Sequence, residues 1–267
     1  MKKYLKIISL FCAATLVISS LSGCTSSSGD ENNSSNSTAT SNQSTNNSPT
    51  SQTSGDYDYS KPVPKASDWV KKAYFSDAVF VGDSVSTGIS IYEYMENSTV
   101  YAAKGINPEN IFTKQCISSG ENKITIMQAL SEASFKKVYI LLGANAAEYM
   151  TPDNFKTKYG EIIDKVKVLQ PEAKIYIQSV FPITKTLNDK NTTANSNLTM
   201  ATINAYNQAL LSLANEKKAY YVNVAEALSD ENGFLPTEYS PDGIHINASR
   251  YQLWFDYLRT HTVGEFQ

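Results

Sequence analysis

Five short runs dominated by Val, Ile, Tyr, Leu and Phe, at 78–81, 99–102, 137–142, 174–180 and 219–224, alternate with segments of helical period. One such segment carries Phe155, Tyr159, Ile162, Ile163 and Val166 on a single stripe and opens with Thr151 as cap and Pro152 at the first helical position. A second carries Ile203, Tyr206, Asn207, Leu210 and Ala214. A last helix is predicted to start near Asn247 and to bury most of Tyr251, Leu253, Trp254, Phe255 and Leu258. Strands and helices that alternate at this length require right-handed crossovers, hence a parallel sheet with helices on both faces. In such a sheet every strand-to-helix loop emerges at one edge, so residues following the first, third and fifth runs can converge although far apart in sequence. With 267 residues, 41% of them hydrophobic, the chain supports one sizeable α/β core and not two large domains.

The stretch ahead of the first strand has a different character. Lys2 and Lys3 precede an apolar run from Leu5 to Ile18, the layout of a secretory leader and too short and interrupted for a membrane span. Its end, Leu21-Ser22-Gly23-Cys24, resembles the bacterial lipobox. That resemblance implies a lipoprotein signal peptide over 1–23, diacylglycerol on the Cys24 thiol and an extracytoplasmic, membrane-anchored protein. Two or more acyl chains anchor stably where one does not. From Thr25 to about Tyr57 the chain is almost wholly Ser, Thr, Asn, Gln and Gly, too poor in apolar surface to offset the entropy of ordering. A linker is expected over 24–62 and the folded domain over 63–267. Stretched, about 35 residues reach on the order of 100 Å.

Charge and cysteine content narrow the function. The formal net charge of −3 lacks the basic footprint that nucleic acid requires. Of three cysteines, Cys12 and Cys24 lie in the leader, which leaves Cys116 without an internal partner and reading as a small buried residue. No His, Cys and carboxylate cluster has metal-ligand spacing and no glycine-rich phosphate loop occurs, so neither metal nor cofactor is expected.

The chemistry-bearing residues lie at strand ends. Ser84, in Val79-Phe80-Val81-Gly82-Asp83-Ser84, follows the first strand and precedes a helix, where the partial positive charge of a helix start favours an anion. By itself it reads equally as a helix cap. Histidine occurs twice. His245 lies in Ser240-Pro241-Asp242-Gly243-Ile244-His245, a polar turn after the fifth strand, with Asp242 placed to hold one imidazole nitrogen. His261 reads as a surface or dipole-stabilising residue near the end of the last helix.

These blocks, taken together, resemble the SGNH (GDSL-like) hydrolase family: Phe80-Val81-Gly82-Asp83-Ser84 is similar to its first block, Gly105 in Ala103-Lys104-Gly105-Ile106 to its second, Gly143-Ala144-Asn145 to its third, and Asp242-Gly243-Ile244-His245 to its last. The likeness spans about residues 75–262. It implies a three-layer α/β/α sandwich with a five-stranded parallel sheet, flavodoxin-like, and a monomer. It also implies Ser84 as nucleophile, His245 and Asp242 as the rest of the triad, and an oxyanion hole of the Ser84 and Gly105 N–H groups with the Asn145 amide. Gly105 suits a backbone brought close to substrate, Asn145 outside this context would be a turn residue, and Asp83 reads as structural. One departure stands out: many relatives carry Asp after the Asn, and here Ala146 follows, which predicts a less firmly positioned Asn145.

The expected activity is hydrolysis of a carboxylic ester through an acyl-serine, on a short acyl group such as O-acetyl of carbohydrate or cell-wall glycan. A polar rim, which includes the loop expected over 185–199 and rich in Thr, Asn, Asp and Lys, argues against a lipase. The alternatives on the same pocket are a lysophospholipase or thioesterase, an acyl transferase to sugar, and a non-catalytic glycan-binding lipoprotein.

Overall fold

A computed structural model describes residues 57–95 and 97–264; the leader, Cys24 and most of the expected linker lie outside the described residues. Five parallel strands, β1 (Ala78–Gly82), β2 (Thr99–Ala102), β5 (Lys137–Leu141), β6 (Lys174–Gln178) and β7 (Tyr220–Val222), form one sheet in the order β2-β1-β5-β6-β7. Taken as the first to fifth strands of the sheet, that order is 2-1-3-4-5, the flavodoxin-like arrangement expected from the sequence. A small antiparallel hairpin, β3 (Ile117–Ser119) with β4 (Asn122–Ile124), forms a separate two-stranded sheet.

Strand alternation divides the core into two layers. Val79, Val81, Val138, Ile140, Ile175 and Ile177 point to one face, where α2 (Ile126–Ser131), α3 (Pro152–Leu169) and α5 (Met200–Lys217) cover them. Phe80, Leu141, Tyr139, Tyr176 and Val222 point to the other, under α1 (Ser84–Tyr92) and α6 (Tyr251–Thr260). On that second face Phe80, Tyr139 and Tyr176 are in register across β1, β5 and β6 and stack at 5.0 and 4.5 Å between ring centroids. The result is a three-layer α/β/α sandwich with the strands' carboxyl ends at one edge.

Local signals account for the element ends. Thr151 caps α3 through its side chain and Pro152 occupies the first turn, as its spacing predicts. Thr125 and Gln128 form a reciprocal capping box on α2. Tyr57 and Tyr59 already pack on Tyr220, and the Val63 N–H donates to the Tyr221 carbonyl at 2.8 Å, so packing begins within the stretch expected as linker.

Three expectations need correction. The polar segment expected as a loop over 185–199 is instead a helix, α4 (Lys185–Thr193), followed by a turn. Thr184 caps it by accepting from the Leu187 N–H, and Lys185 and Asp189 pair one turn apart. Because α4 buries no residue, it carries no apolar stripe from which its period could be read. The last helix, by contrast, starts where expected: Asn247 precedes a 3-10 turn, Ala248–Arg250, that continues into α6. His261 is buried, not on the surface; desolvation pushes its pKa down, and its ring stacks on Tyr257 at 3.6 Å. Cys116 is half-buried, and desolvation raises its pKa, the mark of an inert thiol.

Trp254 is fully buried and donates its Nε1–H to Gln178 Oε1 at 2.7 Å, a polar tie between α6 and the end of β6. Trp254→Phe keeps most of the packing but orphans that buried amide oxygen, and a loss of about 1–3 kcal/mol is expected in urea unfolding.

Candidate active site

The carboxyl edge brings four strand-end loops together. After β1, Asp83 is the cap residue of α1 and accepts from the Val85 N–H at 3.0 Å, which leaves Ser84 as the first helical residue with its N–H at the helix start. Ser84 Oγ lies 2.8 Å from His245 Nε2. His245 Nδ1 lies 2.7 Å from Asp242 Oδ2. The second oxygen of Asp242 accepts from the backbone N–H groups of Ile244 and His245 at 2.9 and 2.8 Å. A carboxylate can only accept, so Nδ1 carries the proton and Nε2 presents its lone pair to the serine hydroxyl.

Burial alone would raise the Asp242 pKa, but the N–H donors of His245 and Ile244 and the imidazole outweigh it, and the value is lowered. Asp242 is therefore ionised near neutral pH. Asp242 and His245 side chains are 49% and 41% exposed, so the site opens to solvent rather than lying in a tunnel.

The loop that carries Asp242 and His245 is braced by α4. The Thr184 N–H donates to the Gly243 carbonyl at 3.0 Å. Gly243 has φ +90°, and a Cβ there would lie 2.8 Å from Thr184 Oγ1 and 2.9 Å from Leu187 Cβ. Only glycine admits this approach. The bracing helix was not legible in the sequence; Gly243 inside the block was the signal that something packs against it.

The other two loops supply donors. Gly105 follows β2 in a turn with φ +74°, and a Cβ there would meet only Lys114 Nζ at 3.3 Å. The positive φ calls for glycine here by itself, and the open space around the position leaves the backbone free for the close approach to substrate expected from the sequence. The turn is held by Asn110 Nδ2 on the Gly105 carbonyl at 2.9 Å and by Lys114 Nζ on the Lys104 carbonyl at 2.7 Å. Asn145, after β5, donates one Nδ2 hydrogen to the Ile106 carbonyl at 3.0 Å, and among the described residues the other has no protein acceptor. This corrects the expectation that Ala146 leaves Asn145 loosely placed. Ala146 is fully buried, its N–H donates to the Gly143 carbonyl at 2.9 Å, and the tie to Ile106 fixes the amide. Among the described residues the Ser84 and Gly105 N–H groups have no protein acceptor.

A serine hydroxyl on a neutral imidazole that is held by a carboxylate, in a parallel α/β sandwich and beside unpaired N–H donors, defines a serine hydrolase site. The chain belongs to the GDSL-like Lipase/Acylhydrolase family, whose sequence model matches residues 80–253, and is an ester-hydrolysing enzyme. The matched span contains all five residues singled out from the sequence, Ser84, Gly105, Asn145, Asp242 and His245. Solved structures share the fold. A Streptococcus pneumonia protein described as a platelet activating factor has a TM-score of 0.52 at 19% identity, covering 70% of this chain and 88% of its own. A lipolytic protein of the G-D-S-L family from Desulfitobacterium hafniense has 0.52 at 16% identity, covering 69% and 98%. A GDSL-like lipase from Bacteroides thetaiotaomicron has 0.50 at 16%, covering 68% and 84%. No curated protein sequence matches the chain.

Asp83 is fully buried beside the site, and desolvation, only partly offset by the Val85 N–H and the His245 charge, raises its pKa from 3.8 to about 6. The folded state then holds a proton that the unfolded chain has lost between about pH 4 and 6, so stability falls as pH rises through that window and stays lower above it. Asp83→Asn keeps a capping oxygen without the charge. A gain on the order of 1–3 kcal/mol at pH 7.5, shrinking toward zero at about pH 3.5, is the expected result of denaturant titrations at the two pH values.

Proposed function

We propose that this enzyme removes short acyl groups, O-acetyl above all, from an extracytoplasmic glycan. The single observation that carries the short-acyl reading is a cavity of about 20 Å³ against the site, room for a water- or methyl-sized group. Its wall combines chain neighbours of the reacting groups, Asp83 and Val85 beside Ser84, Gly143 and Ala144 beside Asn145, and Ile244 beside His245, with the core side chains Leu141, Leu142, Val180, Phe181 and Ile183. The reacting side chains themselves do not line it. An acyl group that enters it from Ser84 has room for a methyl, and a longer chain would have to displace the apolar side chains of its wall. The exposed His245 and Asp242 leave the leaving-group side open to a bulky alcohol such as a sugar in a polymer.

In this reading Ser84 Oγ attacks the ester carbon while His245 Nε2 takes the hydroxyl proton, and Asp242 stabilises the imidazolium through Nδ1–H. The carbonyl oxygen becomes an oxyanion that accepts from the Ser84 and Gly105 N–H groups and the free Asn145 Nδ2 hydrogen. Collapse breaks the ester C–O bond, and His245 returns the proton to the leaving alkoxide. Water then attacks the acyl-serine under the same base, releasing the acid and restoring the Ser84 hydroxyl. Removing one donor with Asn145→Ala is expected to cost about 10²–10³ in kcat.

The resemblance of Leu21 to Cys24 to a lipobox supports attachment to the outer face of a bacterial membrane, with the polar stretch that follows as tether. Cys24→Ala is expected to release the protein into the medium; unchanged membrane retention counts against the anchor.

Acetate release from O-acetylated polysaccharide, together with fluorophosphonate labelling, tests the reading. Labelling at Ser84 and its loss in Ser84→Ala are expected, with kcat on 4-nitrophenyl acetate falling by about 10⁴ or more. Turnover should drop from acetyl to butyryl esters, and Ile244→Ala should raise the butyryl to acetyl ratio about tenfold. Activity that climbs with acyl length would point to the lysophospholipase or thioesterase chemistry instead, and binding of glycan without labelling to a non-catalytic role.

A further inference from the structure

The chain has two tryptophans, and they have opposite fates. Trp254 is fully buried, whereas Trp69 is 57% exposed and lines a cleft of about 540 Å³ along the outer flank of α6. Neither the triad nor the oxyanion donors contribute to this cleft. The Trp69 ring is not a free surface side chain. The Arg259 guanidinium lies over it at 4.7 Å from the ring centroid, Arg259 Nε donates to the Val70 carbonyl at 2.9 Å, and the Val70 N–H donates to the Arg259 carbonyl at 2.9 Å. The indole is thus held on one side and offered on the other.

A second, independent feature points into the same cleft. His261 is only 6% exposed. Its Nδ1 lies 2.7 Å from the Tyr257 carbonyl, which can only accept, so Nδ1 carries the proton and Nε2 is left as an acceptor. Among the described residues Nε2 has no protein partner, and His261 lines the cleft. Desolvation lowers its pKa, which keeps the ring neutral at pH 7. The carboxylates of Glu226 and Asp256 stand on the same wall, with Glu226 Oε2 oriented by the Tyr257 hydroxyl at 3.0 Å. An acceptor at the cleft wall without a protein donor is free to take one from a ligand or from solvent.

A fixed aromatic face with acceptors (His261 Nε2, Glu226, Asp256) and donors (Lys65, Ser67) in the same lining suits a ligand with apolar C–H faces and many hydroxyls, which donate and accept, the chemistry of a neutral sugar. Glu226 is also part of the wall of a neighbouring cleft of about 500 Å³ that presents Asn204, Gln208 and Asn223, amides suited to further hydroxyls. From this geometry we infer that the Trp69 cleft is a second carbohydrate-binding site, one that holds a glycan chain away from the reacting serine. It rests on the glycan reading of the substrate proposed above. Its purpose in that setting is to keep a polymer near an open active site that itself encloses only the acyl group.

The two tryptophans make the test direct, because iodide can quench only the exposed one. In the soluble domain carrying Ser84→Ala, so that nothing turns over, xylohexaose and the β-1,4 hexamer of N-acetylglucosamine are titrated while iodide quenching is followed. At least one is expected to shield Trp69, and calorimetry should show its Kd rising at least about tenfold in Trp69→Ala and in Asp256→Asn. Far-UV circular dichroism and 4-nitrophenyl acetate turnover of the Trp69→Ala protein with Ser84 intact should be unchanged. No shielding by either glycan overturns the proposal, as does shielding by tetramethylammonium alone, which would mark a cation site. Glycan binding without acetate release from acetylated polymer would sink the proposed substrate and spare the cleft; acetate release without binding here would do the reverse.

Discussion

The hydrogen bond between Ser84 and His245 joins residues 161 positions apart, and the functional part of the fold serves to hold it. Closing so long a loop costs conformational entropy that one hydrogen bond cannot offset. The sheet supplies the difference. Parallel pairing of β1 with β5 sets the Ser84 and Asn145 loops side by side, and α4 braces the Asp242 to His245 loop through Gly243. On the other face, the Tyr251 hydroxyl donates to the Val85 carbonyl at 2.7 Å, tying the helix that follows His245 to the one that begins at Ser84. Each tie is modest; together they leave the serine and the imidazole one relative position.

That frame divides the site into a closed part and an open part. Asp83, Val85, Gly143 and Ile244 wall a niche hardly larger than a methyl group, while the imidazole and its carboxylate stay accessible. Under the proposed function the closed part selects a short acyl group and the open part admits a bulky alcohol. A polymer-borne ester meets both conditions. The cost of an open site is weak hold on the substrate, and a separate aromatic cleft on the flank of α6 offers a way to recover it.

The legible parts of the fold were those written in apolar side chains. The five sheet strands are buried or half-buried runs of β-branched and aromatic residues, and α3 and α5 carry apolar stripes on a helical period, so all could be placed from sequence. Helix α4 could not, because Leu187 alone packs against the core and no residue of the helix is fully buried, so no apolar stripe shows its period. The hairpin of β3 and β4 is too short to show alternation. At the site, Ser84 and His245 were legible because a Gly-Asp-Ser junction and one of two histidines both fall just after strands. The reason for Gly105 was not, since a positive φ leaves no mark beyond the glycine itself. Nor was the security of Asn145, which depends on a carbonyl 39 residues away. The burial of His261 was missed for the same reason: its partner in packing, Tyr257, carries no polarity signal that sets it apart from a surface residue.

The account stands or falls on Ser84 as the atom that takes the acyl group. Rapid acid quench of the enzyme during turnover of 4-nitrophenyl acetate, followed by peptide mass spectrometry, reads this directly. One acetyl group on the peptide bearing Ser84, absent in Ser84→Ala and accumulating in His245→Ala only at a much reduced rate, is the result expected. Ester cleavage with no acetyl on that peptide, or with acetyl on another residue, would contradict it.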